Sequence, residues 1–200
     1  MTWTKRVFDI CAALFLGLFL VPVVAVLFVA IRLKDGAPVF YVSERMRTPE
    51  EGFGLVKFRS MTVVEADSGV SGGDKSARIT PTGRFLRRTR LDEVPQLWNV
   101  LRGDISFVGP RPPLRQYVEQ FPELYAEVLK ARPGITGLAT LVYHSHEEAL
   151  LARCKTTEKT DAVYARACVP RKATLDMIYR DNRTLCWDVL LMWRTVSPRR

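Results

Sequence analysis

Residues 10–31 read ICAALFLGLFLVPVVAVLFVAI, and this run decides what kind of protein the chain can be. It is interrupted by Gly17 and Pro22 but by no charged side chain, and about 20 such residues suffice to cross the hydrocarbon of a bilayer. The chain is therefore expected to touch membrane. Lys5-Arg6 precede the run and Arg32 and Lys34 follow it, so the bias of cations towards cytoplasmic loops gives no clear orientation. Two topologies stay open. Pro22 removes a backbone donor near the middle, which lets the helix bend and keep both ends on the cytoplasmic face. Alternatively, the proline is simply tolerated in a straight spanning helix. A signal peptide fits poorly, because the apolar core is too long and cations rather than a small-residue cleavage site follow it.

Outside the run, the 200 residues allow one substantial core plus the membrane segment, so a division into 1–35 and 36–200 is expected. Thirty basic against 21 acidic residues give a net charge of +9, which favours anionic partners such as nucleic acid, lipid headgroups or phosphorylated substrates. Cys11, Cys154, Cys168 and Cys186 include no CxxC pair, and they read as reduced thiols of a cytosol-facing protein.

Further along, 38–42 is a short β-like run, and 54–59 alternates so as to put Lys57 and Arg59 on one strand face. Residues 65–76 have a loop composition suited to a lid or to disorder, and 83–88 is a basic, partly apolar segment suited to a membrane surface or a phosphate pocket. Leu91, Val94, Leu97, Trp98 and Leu101 recur at helical spacing and predict a buried stripe. Residues 105–108 read as extended, 114–121, 123–130, 172–181 and 185–196 as helical, and 132–137 as a turn-rich segment that caps the fold or approaches a ligand. His144-Ser145-His146 lacks the third ligand that a metal site would need.

Charge is most concentrated at Asp92-Glu93, where two adjacent carboxylates stand amid Arg84, Arg87, Arg88, Arg90, Arg102 and Arg111. Adjacent carboxylates repel unless cations or a metal hold them. Pro95 is tolerated only in a first helical turn, so the pair is expected at a helix N-terminus, a setting that favours anions. Pro110, Pro112 and Pro113 stiffen the backbone that carries Arg111. One reading of the pair is structural, with Asp92 as a cap and Glu93 complementing the helix dipole. The other is phosphoryl transfer, in which one carboxylate is a nucleophile forming an acyl phosphate and the other holds a cation such as Mg²⁺, which needs few protein ligands. A membrane-anchored binding protein without catalysis, or a scaffold, would also explain the run and the charge. It would not explain why carboxylates interrupt the most basic stretch.

Taken in order, 5–9 (KRVFD), 57–61 (KFRSM), 91–100 (LDEVPQLWNV), Gly103-Asp104, 108–112 (VGPRP) and 132–137 (RPGITG) resemble the bacterial sugar transferases. These are the small monotopic phosphoglycosyl transferases, or polyprenyl-phosphate hexose-1-phosphate transferases. The resemblance implies a helix-rich α/β (α+β) fold: a re-entrant, proline-kinked N-terminal membrane helix hairpin packed on a small cytoplasmic catalytic domain with amphipathic interfacial helices. It implies that a sugar 1-phosphate passes from a UDP-sugar to polyprenyl phosphate at the cytoplasmic face of the bacterial inner membrane, releasing UMP and starting glycoconjugate assembly. Asp92 would be the nucleophile and Glu93 would assist Mg²⁺, with Lys57, Arg59, Arg88 and Arg111 binding the phosphates. Membrane lipid is then a partner and nucleic acid is not. A basic surface beside a membrane is compatible with a homodimer as well as a monomer. The chain departs from the family pattern at Ser60, Arg90 and after Gly137, and the last departure leaves the sugar open.

Overall fold

The computed structural model describes residues 1–64, 69–70 and 72–197. Helix α1 (Trp3–Lys34) holds the apolar run in 32 residues, about 48 Å at 1.5 Å per residue, with Pro22 inside it. It is the one helix among the described residues that is long and apolar enough to cross a membrane. Its middle is bare. Leu18 is 74% exposed, and Leu14, Phe15, Phe19, Val21 and Val26 are exposed around it. Leaving a Leu or Phe in water costs about 1.5–3 kcal/mol each, so a band of this size calls for apolar surroundings.

Both ends of α1, by contrast, are docked on the remainder of the chain. Lys5, 8% exposed, gives a hydrogen bond of 2.5 Å to Asp188, and Arg6 donates to the carbonyls of Val100 and Leu101 at 2.6 and 2.7 Å. At the far end, Leu27 and Ile31 pack with Val39, Phe58 and Leu86. There the Arg59 guanidinium donates to the carbonyls of Asp35, Gly36 and Ala37, satisfying groups that the end of a helix leaves unpaired.

Strands β1 (Phe40–Met46) and β2 (Gly52–Phe58) form an antiparallel hairpin with Lys57 opposite Tyr41. Because β2 stops at Phe58, the alternation expected through residue 59 ends one residue early, and Arg59 turns to α1 instead of following Lys57. The expected loop 65–76 lies partly outside the described residues, and Gly73–Arg78 within it forms a 3-10 turn. Helix α2 (Pro81–Thr89) starts with the Thr80 hydroxyl accepting from the Gly83 N–H at 2.9 Å, and it ends on Arg90 in the left-handed conformation, φ 57°.

A separate 3-10 turn, Leu91–Glu93, then precedes α3 (Gln96–Arg102), where Pro95 takes the capping position rather than the first turn. The buried side of α3 also differs from the apolar stripe expected there. Gln96, Asn99 and Val100 are buried, whereas Trp98 is 58% exposed. The reason is a polar task. Asn99 Nδ2 donates to the Gly54 carbonyl at 2.8 Å and to Asp104 at 3.0 Å, while its Oδ1 accepts from the Val56 N–H at 3.0 Å. One side-chain amide thus pairs with β2 as a neighbouring strand would.

Strand β3 (Ser106–Val108) runs parallel to β4 (Gly134–Thr136), so the turn-rich segment holds a strand. Gly109 and Gly134 abut so closely that a Cβ on either would collide with the opposing backbone. Helices α4 (Arg115–Gln120), α5 (Pro122–Val128), α6 (Leu138–Leu151), α7 (Thr157–Val163), α8 (Val169–Asn182) and α9 (Leu185–Val196) complete the fold, with a π turn at Tyr164–Cys168. Two larger cores result. One gathers Tyr117, Tyr125, Tyr143, Tyr164 and Cys168 among α4, α5, α6 and α8. The other gathers Ala13, Val100, Ile105, Phe107 and Leu191 where α1, α3, β3 and α9 meet.

Asn99→Leu strips partners from two backbone groups of β2 and from Asp104. It is expected to destabilise the protein by about 2–4 kcal/mol, seen as a lower Tm in detergent. An unchanged Tm would show that β2 does not depend on that amide.

Candidate active site

The 3-10 turn between α2 and α3 presents both carboxylates to a cavity of about 800 Å³ that is also bordered by Lys57, Arg87, Arg90 and Arg111. Within it the two acids are treated differently. Glu93 Oε1 lies 3.2 Å from Lys57 Nζ and 3.6 Å from Arg111, and its Oε2 is 3.9 Å from Arg90. Burial alone would raise this carboxyl, but Lys57, Arg111 and Arg90 outweigh it and bring it down to about 2. Asp92 makes no hydrogen bond or ion pair among the described residues. Its carboxyl is raised, first by burial and then by the Glu93 charge, against the opposing pull of Lys57, Arg87 and Arg111. One acid is clamped and the other stands open.

The cations are tuned in turn. Burial, reinforced by Arg111, pushes the Lys57 ammonium down to about 8, with Glu93 opposing. For Arg111 burial again works against the charge, but Glu93, with Glu147 next, more than restores it.

The site residues expected from sequence separate into groups. Lys57, Asp92, Glu93 and Arg111 converge on one cavity. Arg59 borders the same cavity, yet its guanidinium is engaged by the three carbonyls after α1. Arg88 lies exposed on α2 and does not border the cavity, whereas its neighbour Arg87 does, bonded through Nε to the Ser60 hydroxyl at 3.0 Å. The helical phase explains this: Gly83 and Leu86 face inward, and residue 87 follows them to the cavity side.

Several bordering residues were not singled out from sequence. Arg45, lowered to about 10 chiefly by burial and then by Arg111, bonds to the Pro112 carbonyl at 3.3 Å. Glu147, Lys172 and Asp176 come from α6 and α8. A readable signal did exist for the last two, because they share the buried stripe Val169, Lys172, Ala173, Asp176 and Tyr179, where charges are unexpected.

No group of three metal-ligating side chains is present among the described residues. Mg²⁺ uses one or two carboxylates and completes its shell with water and substrate phosphates. An open Asp92 beside a Glu93 oxygen that lies 3.9 Å from Arg90 fits so sparse a set.

The model of the family described as bacterial sugar transferase matches residues 1–198. Among individual relatives, an uncharacterized sugar transferase EpsL of Bacillus subtilis is 42% identical over 137 residues, covering 68% of this chain and 67% of that protein. A UDP-N-acetylgalactosamine-undecaprenyl-phosphate N-acetylgalactosaminephosphotransferase of Aeromonas hydrophila is 32% identical over 96% of this chain. A UDP-glucose:undecaprenyl-phosphate glucose-1-phosphate transferase of Klebsiella pneumoniae is 36% identical over 81% of it. The matches span only 42% and 36% of the lengths of these last two proteins.

Because Lys57 carries its charge below about pH 8 and loses it above, binding of inorganic pyrophosphate should weaken as pH rises through 8, by up to about tenfold per unit. Glu93→Gln removes the charge that supports the ammonium, so this limb should move to lower pH. Calorimetry between pH 6.5 and 9.5 checks both, and a flat profile would remove Lys57 from the site.

Proposed function

This chain belongs to the bacterial sugar transferases, and from that membership we propose that it moves a sugar 1-phosphate from a UDP-sugar to a polyprenyl phosphate, releasing UMP. The observation that carries the reading is the unequal dyad: a clamped Glu93 beside an open Asp92, in a cavity edged with cations and bordered by Arg59, which holds the end of the apolar helix. An Asp92 oxygen attacks the β-phosphorus of the donor. The new P–O bond makes an acyl phosphate carrying the sugar, and the bond from that phosphorus to the bridging oxygen breaks. UMP departs with the electron pair, its charge met by Lys57, Arg111 and Arg87. An oxygen of the polyprenyl phosphate then attacks the same phosphorus and expels the Asp92 carboxylate, leaving a polyprenyl diphosphosugar.

Asp92 suits the nucleophile's role because no hydrogen bond or ion pair among the described residues holds its lone pairs. Glu93 acts by fixing Lys57 and Arg111 where the phosphates lie. Mg²⁺, held by Glu93 together with the donor's phosphates, would supply further charge neutralisation. Arg88, exposed on α2, is placed in this reading towards lipid phosphate, and Arg59 acts through the end of α1.

For α1 we propose the re-entrant course. The support is that Lys5 and Arg6 at one end, and Ile31 and Asp35 at the other, are fastened to the same folded domain. A helix running straight across the bilayer would carry its ends about 48 Å apart. The exposed Phe85, Trp98 and Trp193 would then rest at the cytoplasmic membrane surface.

Detergent-held protein given UDP-sugar, Mg²⁺ and polyprenyl phosphate should release UMP, and Asp92→Asn should lower the rate at least about 10³-fold. With β-³²P-labelled donor and no acceptor, the wild type should retain label on the protein. Retention by Asp92→Asn would overturn the nucleophile assignment. Single cysteines at Thr2 and Lys34, in a Cys11-free and Cys186-free background, should both be labelled only from the cytoplasmic side. Labelling from opposite sides would establish a spanning helix.

A further inference from the structure

Past the dyad, the cavity wall continues as a line of alternating charge. Arg111 responds to Glu93 and also to Glu147, Glu147 accepts from Lys172 Nζ at 2.8 Å, and Lys172 acts in turn on Asp176. Lys172 and Asp176 stand one turn apart on α8, 7% and 6% exposed. Lys172 is well held, since its ammonium also meets the Tyr164 hydroxyl at 3.1 Å and lies 5.0 Å from the centre of that ring. Asp176 is not. Its Oδ1 is buried with no hydrogen-bond partner among the described residues, although the residue borders the same cavity as Asp92. Burial raises this carboxyl to about 7 even against the pull of Lys172. A stripped acceptor on a residue that borders a cavity is matched by a donor that arrives with a ligand.

We propose that Asp176, braced beside the Lys172–Glu147 pair, is a specificity-determining residue that accepts hydrogen bonds from the hydroxyl groups of the donor's hexose. The inference rests on the UDP-sugar reading above and extends it to the part of the donor beyond the phosphates. Asp176 and Glu147 both border this cavity, Lys172 is already taken by Glu147, and carboxylates repel phosphate, so this end suits a neutral group. Sugar hydroxyls are neutral, and neighbouring pairs of them match the two oxygens of a carboxylate. A buried acceptor also discriminates, because an epimer that turns its hydroxyl away leaves the acceptor unpaired. Ribose hydroxyls offer the same chemistry, and UDP without a sugar separates the two sources.

The test uses the full chain in lipid nanodiscs, comparing the wild type with Asp176→Ala and the nearly isosteric Asp176→Asn. UMP release is followed with UDP-glucose, UDP-galactose and their N-acetylamino counterparts, together with inhibition by UDP and Tm. For the donor that the wild type prefers, Asp176→Ala should raise KM about tenfold or more and narrow the spread among donors, with kcat changed less than about threefold. Inhibition by UDP should stay within about twofold. The Tm of Asp176→Asn should hold or rise, because an amide is cheaper to bury than a carboxylate whose Oδ1 has no hydrogen-bond partner among the described residues. Equal weakening towards UDP and UDP-sugar would assign the residue to the nucleoside and overturn the proposal. A lower Tm with unchanged donor preference would make Asp176 merely structural and overturn it as well. A wild type that turns over no UDP-sugar defeats the parent reading, whereas a selective wild type with equally selective variants defeats this inference alone.

Discussion

A single side-chain amide holds the working parts of this protein in register. A two-stranded hairpin is marginal by itself, and β1–β2 has no third strand among the described residues. Its open edge is met by Asn99, which pairs with the backbone at Gly54 and Val56. That joint sets β2 against α3, and Lys57 therefore reaches Glu93 across a gap fixed by backbone rather than by two flexible side chains. The same helix receives Arg6 at its last carbonyls. Apolar helix, α3, strand and Lys57 thus form one mechanical series, and its central link is polar and buried.

The electrostatic arrangement follows from that rigidity. Two neighbouring carboxylates would share their repulsion if the surroundings were symmetrical. Here three cations face Glu93, and among the described residues none is within ion-pair distance of Asp92. The asymmetry arises from the backbone, because Arg90 in its left-handed conformation ends α2 and starts the 3-10 turn that aims the two side chains apart. A non-glycine residue is uncommon there, and it contributes its own guanidinium to the clamp. That guanidinium is the weakest of the three, 3.9 Å from Glu93 Oε2.

Much of this was legible in sequence wherever one local rule governed. The apolar run gave α1, and helical period gave α8 and α9 to within a few residues. Proline mounting and charge density brought Asp92, Glu93, Lys57 and Arg111 to notice together. The readings that shifted were those settled by distant partners. Arg59 looked like the companion of Lys57 until the carbonyls at the end of α1, more than 20 residues upstream, claimed it. Trp98 belonged to an apolar stripe by spacing, but the bond to β2 rotated α3 so that Asn99 faced inward. Arg88 and Arg87 differ only by helical phase. Strand β4 is three residues long and exists because β3 lies beside it, which no local pattern announces.

The double docking of α1 bears on how the protein comes into being. Leu27 and Ile31 complete one core and Ala13 another, so neither is finished until the helix is in place. The helix also leaves the ribosome before the segments that close around it. Insertion therefore precedes the hairpin, the 3-10 turn and α9, which then close around ends already held at the bilayer. Assembly of the cavity is in this sense a late act of membrane insertion, and a copy that missed the membrane would lack the surfaces on which that cavity is built.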